Sequence, residues 1–395
     1  MEQNTSKGTF TVTPSMIETC KTQGVSIIKR LGQGSYGAVF VCKRNHYKGK
    51  HMRLALKVTD TKTADPHFVD KFLQREIDIL LRIRHPFIIY VYSIAQRRRK
   101  YYIYMRYAEQ GDLLDFLTKA GRVQESRARI WCTQMACAIE YLHLQHIAHR
   151  DIKCENILIT AHHNTKLSDF GFATNYTTKN GQPVPLTTYC GTRQYACTEI
   201  LSSIPYDPEK ADMWALGVVL YILVNGHTPF KGNTPKKVIE NHKKPLEYRK
   251  GAVFTEQFTS LLPKIFNSIE KNRISVREFL SSDWVKLESR FKKDAMNVER
   301  PQGYSIMDLD ETERRQFLVT ADRNNLLGGE REIAYKPPVF HSYISTGIQV
   351  PSISSNFILE DSSKTRNIST RNGTRSQTDF STENIRSFSE NPGEV

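Results

Sequence analysis

Residues 149–156 read His-Arg-Asp-Ile-Lys-Cys-Glu-Asn, which sets Asp151, Lys153 and Asn156 inside one short stretch of chain. A carboxylate at Asp151 can accept the hydrogen of an attacking hydroxyl, an ammonium at Lys153 can neutralise a charged group in transfer, and the amide oxygen of Asn156 can hold a metal ion. Thirteen residues after Asn156 comes Asp169-Phe170-Gly171, a second oxygen ligand beside a glycine hinge. Two such oxygens, completed by phosphate oxygens and water, suit Mg²⁺. Any one of these residues alone is more often structural.

A phosphate also needs a cradle, and Gly32, Gly34 and Gly37 offer one. Glycine triplets of this spacing also open dinucleotide-binding folds, but there a helix must follow. Here "AVFVCKR" follows, a strand of β-branched and aromatic residues, so the triplet reads as a hairpin whose bare backbone can lie over a triphosphate. Lys57 stands twenty residues on, in a strand whose neighbours Leu56 and Val58 point the other way. A lone strand lysine is usually solvated, so it needs an anionic partner. Glu76 and Asp78 compete for that part on the helix that follows. Phe72, Ile79 and Leu80 lie about one turn from Glu76 and turn it inward, which favours Glu76.

The elements that must position these groups fall into two textures. Residues 25–58 pattern as strand, glycine-rich turn and two more strands; a helical stretch at 70–83 ends at His85-Pro86, and two further strands lie at 88–94 and 101–107. After Gly111 helical patterns dominate, at 112–120, 125–145, 210–226 and 276–293. The expected fold is therefore α+β and bilobal: a small β-rich N-lobe at 25–105 with one key helix, and a larger, mainly helical C-lobe at 111–284. An N-terminal extension fills 1–24, and a partly ordered extension runs over 285–340. Residues 341–395 are rich in Ser, Thr, Asn and Arg and hold too little apolar surface to order themselves.

Composition narrows the function. Net charge is +15, but Lys and Arg are spread along the chain, and the one tight run, Arg97-Arg98-Arg99-Lys100, reads as a hairpin tip, so nucleic acid is not an expected partner. The longest apolar stretch, 213–224, is too short to span a bilayer, and Glu at position 2 leaves no glycine to myristoylate, so no membrane is expected either. Seven cysteines without CxxC spacing suggest neither a disulfide framework nor a zinc site, and with them a reduced, cytoplasmic setting.

The ordered set Gly32/Gly34/Gly37, Lys57, Glu76, His149-Arg150-Asp151, Lys153, Asn156 and Asp169-Phe170-Gly171 resembles the eukaryotic protein kinases over residues 25–284. Lys153 marks the serine/threonine type, and "HRDIKCENILI", "KLSDFGFA", "YCGTRQYA" and "ADMWALGVVLYILVNGHTPF" are most similar to the testis-specific serine/threonine kinases. The resemblance implies a non-specific serine/threonine protein kinase that uses ATP and Mg²⁺, with Asn156 and Asp169 as metal ligands and a role in spermatogenesis. It implies an adenine ring held among Leu31, Val39, Ala55 and Leu158, with Met105 guarding the pocket behind and the backbones of Arg106 and Ala108 on the adenine edge. Ser35 belongs to the phosphate loop, and Asp112 takes the ribose. Leu80, Val91, His149 and Phe170 are implied to stack in a column anchored by Asp212.

Three positions depart from the family pattern. Cys197-Thr198-Glu199 replaces Ala-Pro-Glu at the end of the activation segment; the glutamate survives, with Arg273 as its expected partner, while loss of the proline loosens the peptide-docking floor. Arg106 replaces a common acidic residue. Thr174 stands where relatives carry Lys or Arg, which removes one phosphate partner and leaves Arg150 to answer a phosphate on Thr188, with Thr187 the alternative site. These departures support the competing reading, a pseudokinase scaffold, although no charge-bearing catalytic residue is replaced. Asp112, Glu155 and Glu109 predict a preference for Arg three residues before the target Ser or Thr, and Ser369, Thr374 and Thr378 in the tail match it. The expected partners are protein substrates and an upstream activating kinase, with the chain a monomer.

Overall fold

The computed structural model describes residues 10–34, 37–45, 51–62, 64, 69–178, 180–287 and 332–333. Expectations for Ser35, for most of the 285–340 extension and for the tail with Ser369, Thr374 and Thr378 lie outside the described residues. The chain divides into two units, one of residues up to Ala108 and the other from Glu109, with the short strand at 332–333 belonging to the first.

The first unit is a twisted antiparallel sheet of β1 (Val25–Gln33), β2 (Gly37–Asn45), β3 (His51–Asp60), β4 (Val91–Arg97) and β5 (Lys100–Arg106) in the order β1-β2-β3-β5-β4, with a two-residue edge strand, Glu332–Ile333, antiparallel to β4. Period-two alternation decides its faces. Leu54, Leu56 and Val58 are buried against Ala38, Phe40, Cys42, Tyr102 and Tyr104. Helix α1 (Pro14–Thr22) closes that face. Thr13 caps it by accepting from Met16 N, Pro14 opens it, and Met16 and Cys20, one turn apart, bury into the same core. The chain before residue 25 thus contributes to the packing of the sheet.

The helix expected at 70–83 forms in two parts, a π-helical turn at Val69–Leu73 and then α2 (Gln74–Leu80), with Glu76, Ile77, Ile79 and Leu80 buried. The basic run behaves as a hairpin: Arg97 and Lys100 close the β4–β5 ladder, Arg98 takes a left-handed φ of 54°, and Arg98 and Arg99 are exposed. Lys100 also forms an ion pair with Asp60.

The second unit contains α3 (Leu113–Ala120), α4 (Glu125–His143), β6 (Ile147–Ala148), β7 (Ile157–Ile159), β8 (Thr165–Leu167), β9 (Thr174–Asn175), α5 (Thr198–Leu201), α6 (Pro208–Asn225), α7 (Pro235–His242), α8 (Glu256–Ile265), α9 (Val276–Leu280) and α10 (Asp283–Lys286). The long apolar run becomes α6, capped by Asp207 and Pro208 and stopped by Gly226 at φ 84°, and almost every residue in it is buried. A helix apolar all round belongs in the middle of a core. Gly217 lets α8 approach closely, since a Cβ there would stand 2.3 Å from Ile265. The single helix expected over 276–293 breaks at Ser281-Ser282, because the Ser282 hydroxyl accepts from Val285 N and starts α10 afresh. No helix among the described residues is long and apolar enough to cross a membrane.

Candidate active site

In the first unit, Lys57 Nζ lies 2.7 Å from Glu76 Oε1, and the glutamate side chain is almost fully buried. Leu56 and Val58 occupy the opposite face of β3. Asp78 is exposed on α2 and takes Gln74 Nε2 instead, so burial selects Glu76. The glycines divide by role. A Cβ on Gly37 would lie 2.1 Å from Val58 O, so packing demands glycine there; at Gly32 nothing stands within 4 Å, and at Gly34 only Gly37 O does, at 4.0 Å. Packing leaves Gly32 and Gly34 unexplained, as expected for backbone kept bare for a ligand. Leu31 is exposed, Val39 half-buried, and Ala55 pairs with Met105 across β3 and β5. Arg106 N donates to Tyr90 O at 2.8 Å, so of the Arg106 backbone only the carbonyl can meet an adenine edge; Ala108 is buried. Leu80 and Val91 are buried in this unit.

In the second unit, β6 pairs with β9 and delivers the chain into the 149–156 turn. Asp212 on α6 fixes the turn's entry, accepting from His149 N and Arg150 N at 2.9 Å each and lying 3.0 Å from His143 Nε2. Burial alone would raise the Asp212 pKa, but the hydrogen bond and charge of His143, with the contacts of His149, hold it below the usual carboxylate range. These bonds offset the left-handed φ of 66° at Arg150, a conformation costly to a side-chain-bearing residue.

Asp151 is the hub of the turn. Its Oδ2 lies 2.9 Å from Lys153 Nζ and accepts from Asn156 Nδ2 at 2.9 Å; Asn156 Nδ2 also donates to Asp151 O at 2.8 Å. Burial depresses the Lys153 pKa, but Asp151, with Glu155 and Asp169, more than reverses this and holds the ammonium charged. Asn156 O accepts from Ser168 N and Ser168 Oγ, at 2.9 and 3.0 Å, which fastens β8 beside the turn and brings Asp169 next along the chain. Asp169 is exposed at φ 58°, while Phe170 is fully buried with its ring 5.0 Å from that of His149. Asp112 caps α3 by accepting from Asp115 N and bridges to Leu158, which is half-buried. Glu155 Oε2 is buried without a hydrogen-bond partner, and burial, with Asp151 and Asp112 nearby, raises its pKa. Glu109 is engaged elsewhere, accepting from Ala161 N at 2.8 Å.

Thr192, to which the sequence reading gave no role, completes the turn. Its hydroxyl accepts from Lys153 Nζ at 3.0 Å and donates to Asp151 Oδ1 at 3.2 Å. The chain can come this close because residue 191 is glycine: at φ 93°, a Cβ there would lie 2.6 Å from Arg150 O. Tyr195 Oη accepts from Cys154 N at 3.4 Å. Downstream, Arg273 Nη2 reaches both Glu199 oxygens at 3.0 Å in a buried pair, so the partner expected for that glutamate is the partner found. Thr188 is exposed; Tyr206 Oη donates to its carbonyl at 3.2 Å and also shares a hydrogen bond with the Arg150 side chain. Arg150 Nε donates to Phe172 O, and Thr174 is buried with its hydroxyl on Asn175 O.

A family model of the protein kinase domain matches residues 25–285. The chain is 32% identical to human testis-specific serine/threonine-protein kinase 4 over 66% of its own length and 82% of that protein's. It is 35% identical to mouse testis-specific serine/threonine-protein kinase 1, over 71% and 77% of the two chains, and 33% identical to chicken serine/threonine-protein kinase SIK2, over 71% and 34%. None of these comparisons supports the scaffold reading. An anchored carboxylate within reach of an ammonium and an amide, on a chain matched along two thirds of its length, leads to one assignment: this protein belongs to the protein kinase family and is similar to its serine/threonine members.

Proposed function

We propose that the chain transfers the γ-phosphate of ATP to Ser and Thr hydroxyls of protein substrates carrying Arg at position minus three. The observation that carries this reading is Asp151, whose carboxylate is fixed from one side by Lys153 and Asn156 and from the other by Thr192. Asp151 accepts the hydrogen bond of the acceptor hydroxyl and orients its oxygen for in-line attack, while Lys153 neutralises charge on the group in transfer. Positioned base catalysis of this kind contributes about 10²–10⁴-fold.

The residues present fit the cofactors. The Asn156 amide nitrogen donates to Asp151, which leaves the amide oxygen as the atom to offer a metal, and Asp169 is an exposed carboxylate next to Ser168, itself bonded to Asn156. One carboxylate and one amide oxygen form the sparse hard-oxygen set that suits Mg²⁺, so Asn156 and Asp169 would hold it. The bound metal–nucleotide supplies the phosphoryl group and neutralises phosphate charge. Lys57, braced by Glu76, is the ammonium for the phosphates, and Gly32 and Gly34 leave backbone bare for them.

The Arg preference rests on the orphaned, buried Glu155 Oε2 with Asp112 nearby, which a guanidinium satisfies better than any neutral group. Similarity to the testis-specific kinases motivates a role in sperm development, in the cytoplasm, under an upstream kinase acting at Thr188. The test is transfer from labelled ATP with Mg²⁺ to peptides that differ only in Ser, Thr or Tyr at the target and in Arg or Ala at minus three. Labelling of Ser and Thr peptides with Arg preferred supports the reading; tyrosine labelling or an acidic preference contradicts it.

A further inference from the structure

Thr198 occupies the place where the family pattern has a proline, and its side chain is not idle. Thr198 Oγ1 lies 2.8 Å from His242 Nδ1 at the end of α7. His242 is buried between aromatic rings, 4.6 Å from Trp214 and 4.5 Å from Phe230 by ring centroids. Its Nε2 is buried with no partner, so Thr198 provides the ring's polar anchorage. Burial and the nearby Arg273 cation push the His242 pKa down to about 3, and the neutral ring keeps this bond at physiological pH.

The neighbouring residue converges on the same place. Glu199 is held by Arg273, whose guanidinium carbon sits 4.8 Å over the Trp214 ring. Two successive side chains, Thr198 and Glu199, therefore fasten to two anchors that both contact Trp214. At its other end the strip is tied down by Thr192, on Asp151 and Lys153, and by Tyr195 on Cys154 N. A proline would fix the strip through its own φ and offer no hydroxyl. Threonine leaves φ free but reaches across 44 residues of sequence to α7.

We infer that the Thr198–His242 hydrogen bond replaces the missing proline as the restraint on the peptide-docking strip, making Thr198 and His242 positioning residues for the protein substrate. The inference rests on the phosphoryl-transfer reading and refines how its substrate is held. A buried neutral hydrogen bond of this kind corresponds to about three- to tenfold in an equilibrium.

The test compares Thr198→Val, which keeps the shape and removes the hydroxyl, with Thr198→Ser, which keeps the hydroxyl, alongside His242→Phe and the Thr198→Val/His242→Phe pair. Thr198→Val is expected to raise the peptide KM about three- to tenfold, with kcat and the ATP KM within about twofold of wild type. Thr198→Ser should match wild type, and the double variant should be no worse than the worse single, as for partners in one bond. An active wild type with an unchanged peptide KM in Thr198→Val would overturn the inference and leave the kinase reading standing. So would equal losses in Thr198→Ser and Thr198→Val, or losses that fall equally on kcat and ATP. An inactive wild type strikes the kinase reading itself.

Discussion

The turn at 149–156 and the strip at 188–199 lie against each other yet are held in different ways. In the turn, Asp151, Lys153 and Asn156 bond to one another within six residues of chain, and distant residues add to this local set: Asp212 fixes the entry, Ser168 holds Asn156 O and Thr192 closes on Asp151 and Lys153. In the strip, each anchor comes from far away: Thr192 reaches back 41 residues to Asp151, Thr198 forward 44 to His242, and Glu199 forward 74 to Arg273. A network with a local centre depends mainly on side-chain chemistry in one string of sequence, whereas a strip held by remote partners depends on where α6 and α7 are packed. The turn should therefore lose chemistry without losing structure, and the strip should lose structure first.

The largest effect is expected at the hub of the turn. Asp151→Asn should lower turnover by about 10²–10⁴-fold while the folded state and nucleotide affinity persist, as single-turnover kinetics and thermal-shift titration with ATP would read. The strip is broken most sharply at Arg273→Met, which strands Glu199 in a buried site. Breaking such a pair costs about 3–5 kcal/mol, so the melting temperature should fall by several degrees and peptide binding should weaken with it. A melting curve unchanged from wild type would mean that the strip is as local as the turn.

Smaller effects sharpen the comparison. Glu155→Gln should reduce the Arg-over-Ala preference at minus three by about tenfold, with an Ala peptide unaffected. Because burial raises the Glu155 pKa, its charge is present above that pKa and lost as pH falls through it. The Arg preference should thus decline on acidification sooner than an exposed glutamate would dictate, which parallel pH profiles of kcat/KM for the two peptides would reveal. The smallest effect belongs to Thr188→Ala in enzyme whose wild-type form carries phosphate there. Arg150 is the partner proposed for that phosphate, and residue 174 is Thr with its hydroxyl on Asn175 O, so a severalfold loss of activity is expected.

Much of this was legible in the sequence where the signal is local. Strand alternation put Lys57 opposite Leu56 and Val58, and apolar residues one turn away turned Glu76, not Asp78, inward. The spacing within 149–156 announced the turn, whereas Arg273, 74 residues from Glu199, was expected from the family resemblance and not from a local pattern. The rest was hidden for physical reasons. Helix α1 buries only Met16, Thr19 and Cys20, too few for a periodic pattern, and α7 buries only Val238 and His242. Helix α8 carries Pro263, which argues against a helix until its first-turn capping by Thr255 is seen. The expected helix at 276–293 splits because a serine that looks neutral in a periodic pattern acts as a cap. Thr198 looked like a lost proline, since nothing in its neighbourhood points to a histidine 44 residues on.

The central claim, that Asp151 directs a serine/threonine hydroxyl at the γ-phosphate, is tested most directly by one paired assay. Wild type and Asp151→Asn are incubated with labelled ATP, Mg²⁺ and a serine peptide carrying Arg at minus three, with ATP binding measured on the same samples. The expected result is phosphoserine from the wild type and background from Asp151→Asn at undiminished ATP affinity. Equal phosphoserine from both proteins would contradict the account.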